Sequence, residues 1–116
     1  MQAAVTHHPH AAVVRLSGEL DAHTSGQLRS LLNELLLAGQ GNLVLDLSGL
    51  SFIDSAGLAA LLSAAKGTRR GGGRLLLSGP APAVRRVMAL TGIDVVLTTV
   101  DSVDEALARM AAEQEG

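Results

Sequence analysis

The sequence predicts an α/β fold: a mostly parallel sheet with an antiparallel edge strand at its N-terminal side and helices packed against it. Short apolar runs alternate along the chain with segments whose apolar residues recur at helical spacing. This alternation requires crossover connections, which join parallel strands. One run, Leu43 to Leu47, is typical of a strand buried on both faces of a parallel sheet. The pattern predicts about five strands and about four helices in one domain over residues 1–116.

The first part of the chain predicts a hairpin and a helix. Residues 3–6 and 11–17 have strand character, and His8-Pro9-His10 between them suits a turn, which places the antiparallel strand at the edge. The spacing of Thr24 and Gln27 is that of a capping box, so a helix is expected to start there. Five leucines form its apolar face, and Gly39 and Gly41 end it. They are Leu28, Leu31, Leu32, Leu35 and Leu36.

Strand and helix then alternate three times. The strand at 43–47 is followed by a helix from Ser55 to about Lys66. A second strand at 74–78 precedes a helix that is introduced by Pro80 and Pro82 and closed by Gly92. The last strand is expected at 95–98, and a capping box at Ser102 to Glu105 opens the final helix. The tail, residues 113–116, is expected to fray.

The composition excludes several classes of function. The chain has 116 residues, a formal net charge of −2 and Phe52 as its only aromatic residue, so general nucleic-acid binding is disfavoured. It has no cysteine, which excludes disulfides and thiolate metal sites. No apolar run approaches the roughly 18 residues of a membrane span, and the N-terminus lacks a signal peptide. We therefore expect a cytoplasmic protein without membrane or nucleic-acid partners.

Asp54-Ser55-Ala56-Gly57 is the strongest candidate site. It lies where a buried strand ends and a helix begins, so the first amides are unpaired and the helix dipole favours negative charge. A phosphate on Ser55 would be tolerated there and would change the surface sharply. Gly57 is expected to leave the first turn open to another protein. The spacing alone favours the simpler interpretation that Asp54 or Ser55 caps the helix.

Gly18-Glu19-Leu20-Asp21 is the second candidate site. It follows one strand and precedes a helix, and loops after parallel strands share one edge of a sheet. Asp21 and Ser55 are therefore expected at the same end of the molecule. An ordinary acidic loop is the alternative for this segment taken alone.

Two kinds of catalytic site fit the sequence poorly. Ser55 lacks the Gly-x-Ser-x-Gly elbow of a nucleophile, and His23 is the only histidine outside the N-terminal end. A magnesium site of the phospho-receiver kind needs convergent carboxylates and a lysine after the last strand, whereas Lys66 is the only lysine. The carboxylates available for such a site are Glu19, Asp21, Asp46 and Asp54. We expect no catalytic residues, no bound cofactor and no metal.

Three other polar segments favour ordinary surface roles. Residues 67–74 are basic and glycine-rich, but they run from helix to strand without the Gly-Lys-Ser/Thr ending of a P-loop. They are interpreted as a solvated turn, and Arg85-Arg86 as the exposed face of a helix. The N-terminal histidines have no evident fourth ligand for a metal and are interpreted as part of a mobile end. They are His7, His8 and His10.

Together these segments resemble the STAS domain, in particular the bacterial anti-anti-sigma factors, also called anti-sigma factor antagonists. The resemblance covers about Val13 to Met110 and lies in the order and spacing of several short motifs. They are Gly18-Glu-Leu-Asp21, Val44-Leu-Asp-Leu47, Phe52-Ile-Asp-Ser-Ala-Gly-Leu58, Gly72-Gly73, Pro82-Ala-Val-Arg85, Leu90-Thr-Gly-Ile93 and the terminal helix.

The resemblance implies a phosphorylation switch. Ser55 matches the serine that a partner anti-sigma factor, a serine kinase of the GHKL type, phosphorylates in the family. The unphosphorylated form binds the anti-sigma factor and releases the sigma factor, and a metal-dependent serine phosphatase resets the switch. Asp21 matches a position on the partner-facing surface, and the free protein is expected to be a monomer. The expected partner-binding residues are Glu19, Asp21, His23, Asp54, Ser55, Ala56, Gly57 and Leu58.

One departure from the family and two alternatives remain. Many members have a second Ser or Thr after the phosphorylated serine, whereas this chain has Ala56. The chain could instead be a STAS module that binds a partner constitutively in a larger signalling or transport assembly, with Ser55 only a cap. It could also bind a nucleotide, although the sequence supplies no phosphate cradle.

Overall fold

The computed structural model describes residues 1–115, and side chains as far as Glu113. The strands are β1 (Gln2–His7), β2 (Ala12–Leu20), β3 (Leu43–Ile53), β4 (Leu75–Ser78) and β5 (Thr99–Val100). The helices are α1 (Ser25–Leu37), α2 (Ser55–Arg70), α3 (Pro82–Thr91), α4 (Ile93–Val96) and α5 (Val103–Glu115). Within residues 1–115, no helix is long and apolar enough to cross a membrane. The expected fraying of the tail falls partly on Gly116, outside the described residues.

The strands form one sheet in the order β1-β2-β3-β4-β5. β1 pairs antiparallel with β2, and each later pair is parallel. The predicted topology, a parallel sheet with an antiparallel N-terminal edge, is therefore confirmed. Because β2, β3 and β4 point the same way, the loops that follow them meet at one edge.

The two faces of the sheet bury different helices. The larger core contains residues of α1, α2, α3 and α4, such as Leu28, Leu61 and Val84, together with Ile93. The smaller core packs Ala106 and Met110 of α5 against the opposite face. The five residues of β3 from Leu43 to Leu47 are all buried, which confirms the prediction of a strand covered on both sides.

The central strands extend further than predicted. β2 continues past Gly18 to Leu20, and β3 continues past residue 47 to Ile53. Two register shifts, at each of which β3 carries one residue more than β2, let the two strands stay paired along this extension. Gly49 permits this, since a Cβ there would lie 2.8 Å from the Leu16 carbonyl oxygen. The extension carries both strands to the edge where Asp21 and Ser55 follow.

The predicted strand at 95–98 is wrong. Residues 93–96 form the single-turn helix α4, and β5 contains only Thr99 and Val100. Ile93 and Leu97 are buried four residues apart, whereas Val95 and Val96 are exposed, which is a helical burial pattern. The β-branched composition of this segment suggested a strand, but its packing decided for a helical turn. Residues 1–115 thus contain five helices rather than about four.

The two predicted capping boxes are only partly realised. Thr24 does not cap α1, because its hydroxyl donates to the Glu19 carbonyl oxygen at 2.9 Å in the preceding loop. Ser102 does accept a hydrogen bond from the Glu105 amide at 3.1 Å. The Glu105 carboxylate pairs with Arg109 at 3.2 Å, one turn further along α5. The first box is therefore wrong, and the second is confirmed for its serine.

Candidate functional site

Ser55 is the first residue of α2 and is exposed at the carboxyl edge of the sheet. It follows Ile53, the buried last residue of β3, and Asp54. Within residues 1–115, the hydrogen bonds of this helix start are made by Asp54, and none involves the Ser55 hydroxyl. The Ser55 hydroxyl is therefore accessible for contact with another molecule.

Asp54 is the cap of α2. Its backbone is extended (φ −116°, ψ −172°), and its Oδ1 accepts a hydrogen bond from the Gly57 amide at 2.9 Å. This satisfies one of the amides that have no partner inside the helix. Of the two residues that the sequence offered as a cap, the structure selects Asp54. Ser55 therefore has no capping task.

Asp54 also joins two loops. Its second oxygen, Oδ2, accepts a hydrogen bond from the Ala22 amide at 3.2 Å, and its own amide donates to the Leu20 carbonyl oxygen at 3.2 Å. Leu20 and Ile53 are paired at the ends of their strands. These contacts confirm that the Asp21 loop and Ser55 lie at the same end of the molecule.

Asp21 is held as an anion. Its carboxylate accepts hydrogen bonds from the amides of His23 at 2.9 Å and Thr24 at 3.1 Å. Desolvation raises the pKa of Asp21, but hydrogen bonds from the Thr24 hydroxyl and from these amides outweigh it and lower the pKa below 3.8. The loop therefore presents a fixed negative charge beside the start of α2 at neutral pH.

Gly57 does not open the first turn to a partner, contrary to expectation. It is buried, and a Cβ at this position would lie 2.6 Å from the Leu20 carbonyl oxygen and 2.8 Å from the Ile53 side chain. The glycine is required because α2 begins in close contact with the end of β2. Its role is internal packing.

The remaining predicted site residues differ in exposure. Glu19 and His23 are exposed, Ala56 is half-buried, and Leu58 is almost fully buried. The surface that a partner could touch around Ser55 thus consists of the acidic loop 19–23 and the outer side of the first turn of α2.

Asp46 lies away from this site. It points to the α5 side of the sheet, where its carboxylate contacts Arg15 Nε at 3.2 Å and the Ser48 hydroxyl at 2.7 Å. Burial raises the pKa of Asp46, but the hydrogen bonds from Ser48 and the Arg15 charge have the larger effect. The pKa of Asp46 therefore lies below its ordinary value of 3.8. No group of three or more His, Cys, Asp or Glu within residues 1–115 is arranged to hold a metal. The described carboxylates therefore do not converge as a phospho-receiver site requires.

An apolar groove lies beside Ser55 that the sequence patterns did not predict. It has a volume of about 390 Å³ and lies between α2 and the corner formed by α3 and α4. The run from Leu90 to Val96 could have indicated it, but the valines in this run predicted a strand and not an exposed helical turn. We call this cleft the Ser55 groove. Its lining includes Ser55, Leu58, Leu62, Thr91, Ile93 and Val96.

Comparison with known proteins identifies the family. The model of the STAS domain family matches residues 2–106, so the chain belongs to that family. A relative, the anti-sigma F factor antagonist of Paenibacillus polymyxa, is 33% identical over 111 residues, which cover 95% of each chain. The predicted resemblance to a STAS domain is thereby confirmed.

Solved structures agree with the fold. An anti-sigma factor antagonist from Mycobacterium paratuberculosis superposes with a TM-score of 0.85 at 29% identity, over 95% of this chain and 93% of that one. The anti-sigma factor antagonist SpoIIAA in its unphosphorylated form gives 0.74 at 26% identity, over 95% and 98%. The phosphorylated form of SpoIIAA, from Bacillus, gives 0.71 at 26% identity, over 93% and 98%.

Proposed function

We propose that this protein is an anti-sigma factor antagonist whose partner choice is switched by phosphorylation of Ser55. The observation that carries the proposal is the free, exposed Ser55 hydroxyl at the start of α2, where Asp54 already provides the cap. The names of the relatives support an anti-sigma factor as partner. The solved forms of SpoIIAA support a phosphate on this fold.

The chemistry of the switch belongs to the partners. A GHKL-type serine kinase, the anti-sigma factor itself, brings ATP to Ser55. The Oγ attacks the γ-phosphorus, the bond from that phosphorus to the bridging oxygen of ADP breaks, and the hydroxyl proton passes to a base of the kinase. A metal-dependent serine phosphatase later hydrolyses the ester with water. This chain supplies the acceptor and the docking surface and is not an enzyme.

Phosphorylation changes the charge of the docking surface. The phosphate adds about −1.5 to −2 charges at neutral pH, next to the carboxylates of Asp54 and Asp21. The start of α2 attracts an anion, but the Gly57 amide is already committed to Asp54. A docked partner must desolvate or exclude this dianion. A loss of only about 2.7 kcal/mol in binding free energy weakens a complex 100-fold, so no large conformational change is needed.

The two states then select different complexes. The unphosphorylated protein binds the anti-sigma factor and releases the sigma factor, and the phosphorylated protein leaves the anti-sigma factor free to hold the sigma factor. We place this exchange in the cytoplasm, where sigma factors act on RNA polymerase.

The test is phosphorylation by the cognate anti-sigma kinase. Intact-mass analysis after incubation with kinase and ATP should show one added phosphate on the parent protein and none on Ser55→Ala. Ser63→Ala, which removes another exposed serine of α2, is the matched control and should be labelled like the parent. Equal labelling of Ser55→Ala and the parent would overturn the site. Kinase binding that is indifferent to both Ser55→Ala and Ser55→Asp would favour a constitutive module instead.

A further inference from the structure

One edge of the sheet is a strand that has no partner on its outer side. β1 pairs with β2, and within residues 1–115 no strand pairs with the other side of β1. The opposite edge strand, β5, contains only two residues. β1 has six residues, Gln2–His7, and none of them is charged or a proline. Natural proteins usually protect a sheet edge with charge, proline, a bulge or a very short strand, so β1 is open to pairing with another strand.

The hydrogen bonds next to β1 show which of its backbone groups are already paired. The His8 amide donates to the Ala11 carbonyl oxygen at 3.0 Å, and the register of the two strands continues from this pair. Hydrogen-bonded pairs alternate along antiparallel strands, so the even-numbered residues of β1 bond to β2. The Ala12 amide agrees with this phase, because it donates away from β1 to the Asn42 carbonyl oxygen at 3.1 Å.

The odd-numbered residues of β1 therefore point their backbone groups away from the sheet. They are Ala3, Val5 and His7, which together offer three amides and three carbonyl oxygens along the edge. If a second β1 lies antiparallel to the first, Val5 faces Val5 of the second copy, and Ala3 faces His7. The three amides of each copy then find acceptors in the other, which gives six hydrogen bonds. The facing residues are all odd-numbered, so their side chains share one face of the joined sheet.

The apolar core is also incomplete on the β1 side. Met1, Ala3 and Val5 are only partly buried where they pack against the larger core. Gln27 of α1 lines the same hollow as Met1 and Ala3. Leu31 follows one turn later on this side of α1 and is again only partly buried. A second copy that pairs with β1 would cover this flank as well as the strand edge.

The chemistry of the edge favours a second copy of this chain as the partner. An antiparallel pair of identical strands is complementary to itself, because a two-fold axis places each donor of one copy opposite an acceptor of the other. No charge in β1 opposes the pairing. A six-residue strand spans only about 20 Å, so the edge alone covers less than the roughly 800 Å² per partner of a standard interface. The α1 flank must contribute, and the association should depend on protein concentration.

We propose that this protein forms a two-fold dimer in which β1 pairs antiparallel with β1 of a second copy, centred on Val5. The two five-stranded sheets then join into one sheet of ten strands. Because β2 of one copy runs antiparallel to β2 of the other, the two carboxyl edges point in opposite directions. Ser55 of each copy stays exposed at its own end of the dimer. The inference differs from the monomer that the family resemblance implies, and it is independent of the proposed function.

Hydrogen exchange measured by NMR tests the register. The amides of Ala3, Val5 and His7 should exchange rapidly below the dissociation constant of the dimer and become protected above it. The amides of Ala4 and Thr6, which bond to β2, are the internal control and should be protected at both concentrations. Protection of the odd-numbered amides that does not change with concentration would contradict the pairing of two β1 strands.

Sedimentation velocity tests the dimer itself. Val5→Lys places two ammonium groups opposite each other at the two-fold axis and should raise the dissociation constant at least tenfold. Val5→Thr is the matched control, because it keeps a neutral β-branched side chain and should dimerise like the parent. Ala3→Pro guards against an effect of folding. It removes an amide that points outward and no bond to β2, so it should weaken the dimer while the monomer keeps its thermal stability.

The possible results separate this proposal from the proposed function. A parent protein that stays monomeric at millimolar concentration would overturn the dimer, and so would a dimer that persists in both Val5→Lys and Ala3→Pro. Protection of the edge amides only after another protein is added would assign the edge to that protein instead. Phosphorylation of Ser55 should be the same in Val5→Lys as in the parent. If the kinase labels neither, the proposed function fails and the dimer is unaffected.

Discussion

At the residue scale, the side-chain hydrogen bonds at the start of α2 are made by Asp54 and not by its neighbour Ser55. One carboxylate oxygen of Asp54 caps α2 and the other binds the Asp21 loop, so the fold depends on Asp54 and not on its neighbour. Ser55 can therefore be modified without removing a structural hydrogen bond. Ala56 leaves no second hydroxyl beside Ser55 in the first turn of α2, so the proposed phosphorylation has no alternative acceptor at the adjacent position.

Replacement of Asp54 should reduce stability. Asp54→Ala removes the cap and leaves the Gly57 and Ala22 amides without this acceptor, so we expect the free energy of unfolding to fall by about 1–2 kcal/mol. Asp54→Asn should retain most of the stability, because an amide oxygen can also cap a helix. Urea denaturation measures both. Asp104→Ala, an exposed change at the start of α5, is the comparison, and an equal loss there would contradict the special role of Asp54.

At the element scale, the start of α2 is fixed by its contact with the end of β2. A Cβ on Gly57, the third residue of the helix, would lie 2.6 Å from the Leu20 carbonyl oxygen, so this position requires a glycine. This contact places the exposed Ser55 between the acidic loop and the groove. The single turn α4 closes the other side of the groove, because Ile93 and Val96 face α2 there.

Two glycines in first helical turns should respond oppositely to alanine. At Gly57 the new Cβ would meet the Leu20 carbonyl oxygen at 2.6 Å, so Gly57→Ala should destabilise the protein by about 1–3 kcal/mol despite the better helix propensity of alanine. At Gly26 of α1 nothing lies within 4 Å of such a Cβ, so Gly26→Ala should be neutral or stabilise by up to about 1 kcal/mol. Thermal unfolding compares the pair. Similar effects of both changes would contradict the close contact between Gly57 and the Leu20 carbonyl oxygen.

At the scale of the whole molecule, the candidate site and the Asp46 carboxylate lie on different sides of the sheet. The carboxyl edge of the sheet gathers the acidic loop, Ser55 and the groove on the side of α1 to α4. Asp46 lies on the other face, beside the smaller core under α5, where Arg15 and Ser48 hold its carboxylate. The face around Ser55 and this ion pair, in which Asp46 is buried and Arg15 exposed, therefore lie in different parts of the structure.

Asp46 should make stability depend on acid pH. The pKa of Asp46 is lower in the folded protein than its ordinary value of 3.8, so the unfolded chain binds the proton more readily. The contribution is present above pH 3.8 and is lost as the pH falls from there through the folded pKa. We expect urea denaturation to show a steeper loss of stability on acidification in the parent than in Asp46→Asn. The pKa of Asp21 is also lowered, so Asp21 contributes to the pH dependence of stability that remains in Asp46→Asn. Parallel pH profiles of parent and variant would contradict this role.

The fold class and the position of the candidate site could be predicted from local patterns. Alternating apolar runs and helical periodicity fix which segments are strands and which are helices, and strand order places the Asp21 loop and Ser55 at one edge. The errors lie where local pattern and packing disagree. The valines at 95 and 96 have strand propensity, yet burial of Ile93 and Leu97 requires a helical turn. Thr24 has capping-box spacing, yet its hydroxyl donates a hydrogen bond to the Glu19 carbonyl oxygen in the preceding loop.

The sequence by itself determined the α/β class, the parallel sheet with its antiparallel edge, and the position of Ser55 at a helix start, because each depends on periodicity and residue type over short distances. Only the tertiary structure decided that Asp54 and not Ser55 caps α2, that Gly57 serves packing, and that an apolar groove adjoins the serine. These depend on distances between residues far apart in the chain, such as Ala22 to Asp54 and α2 to α4. Such distances follow from how the sheet and helices close on one core, which local sequence patterns do not encode.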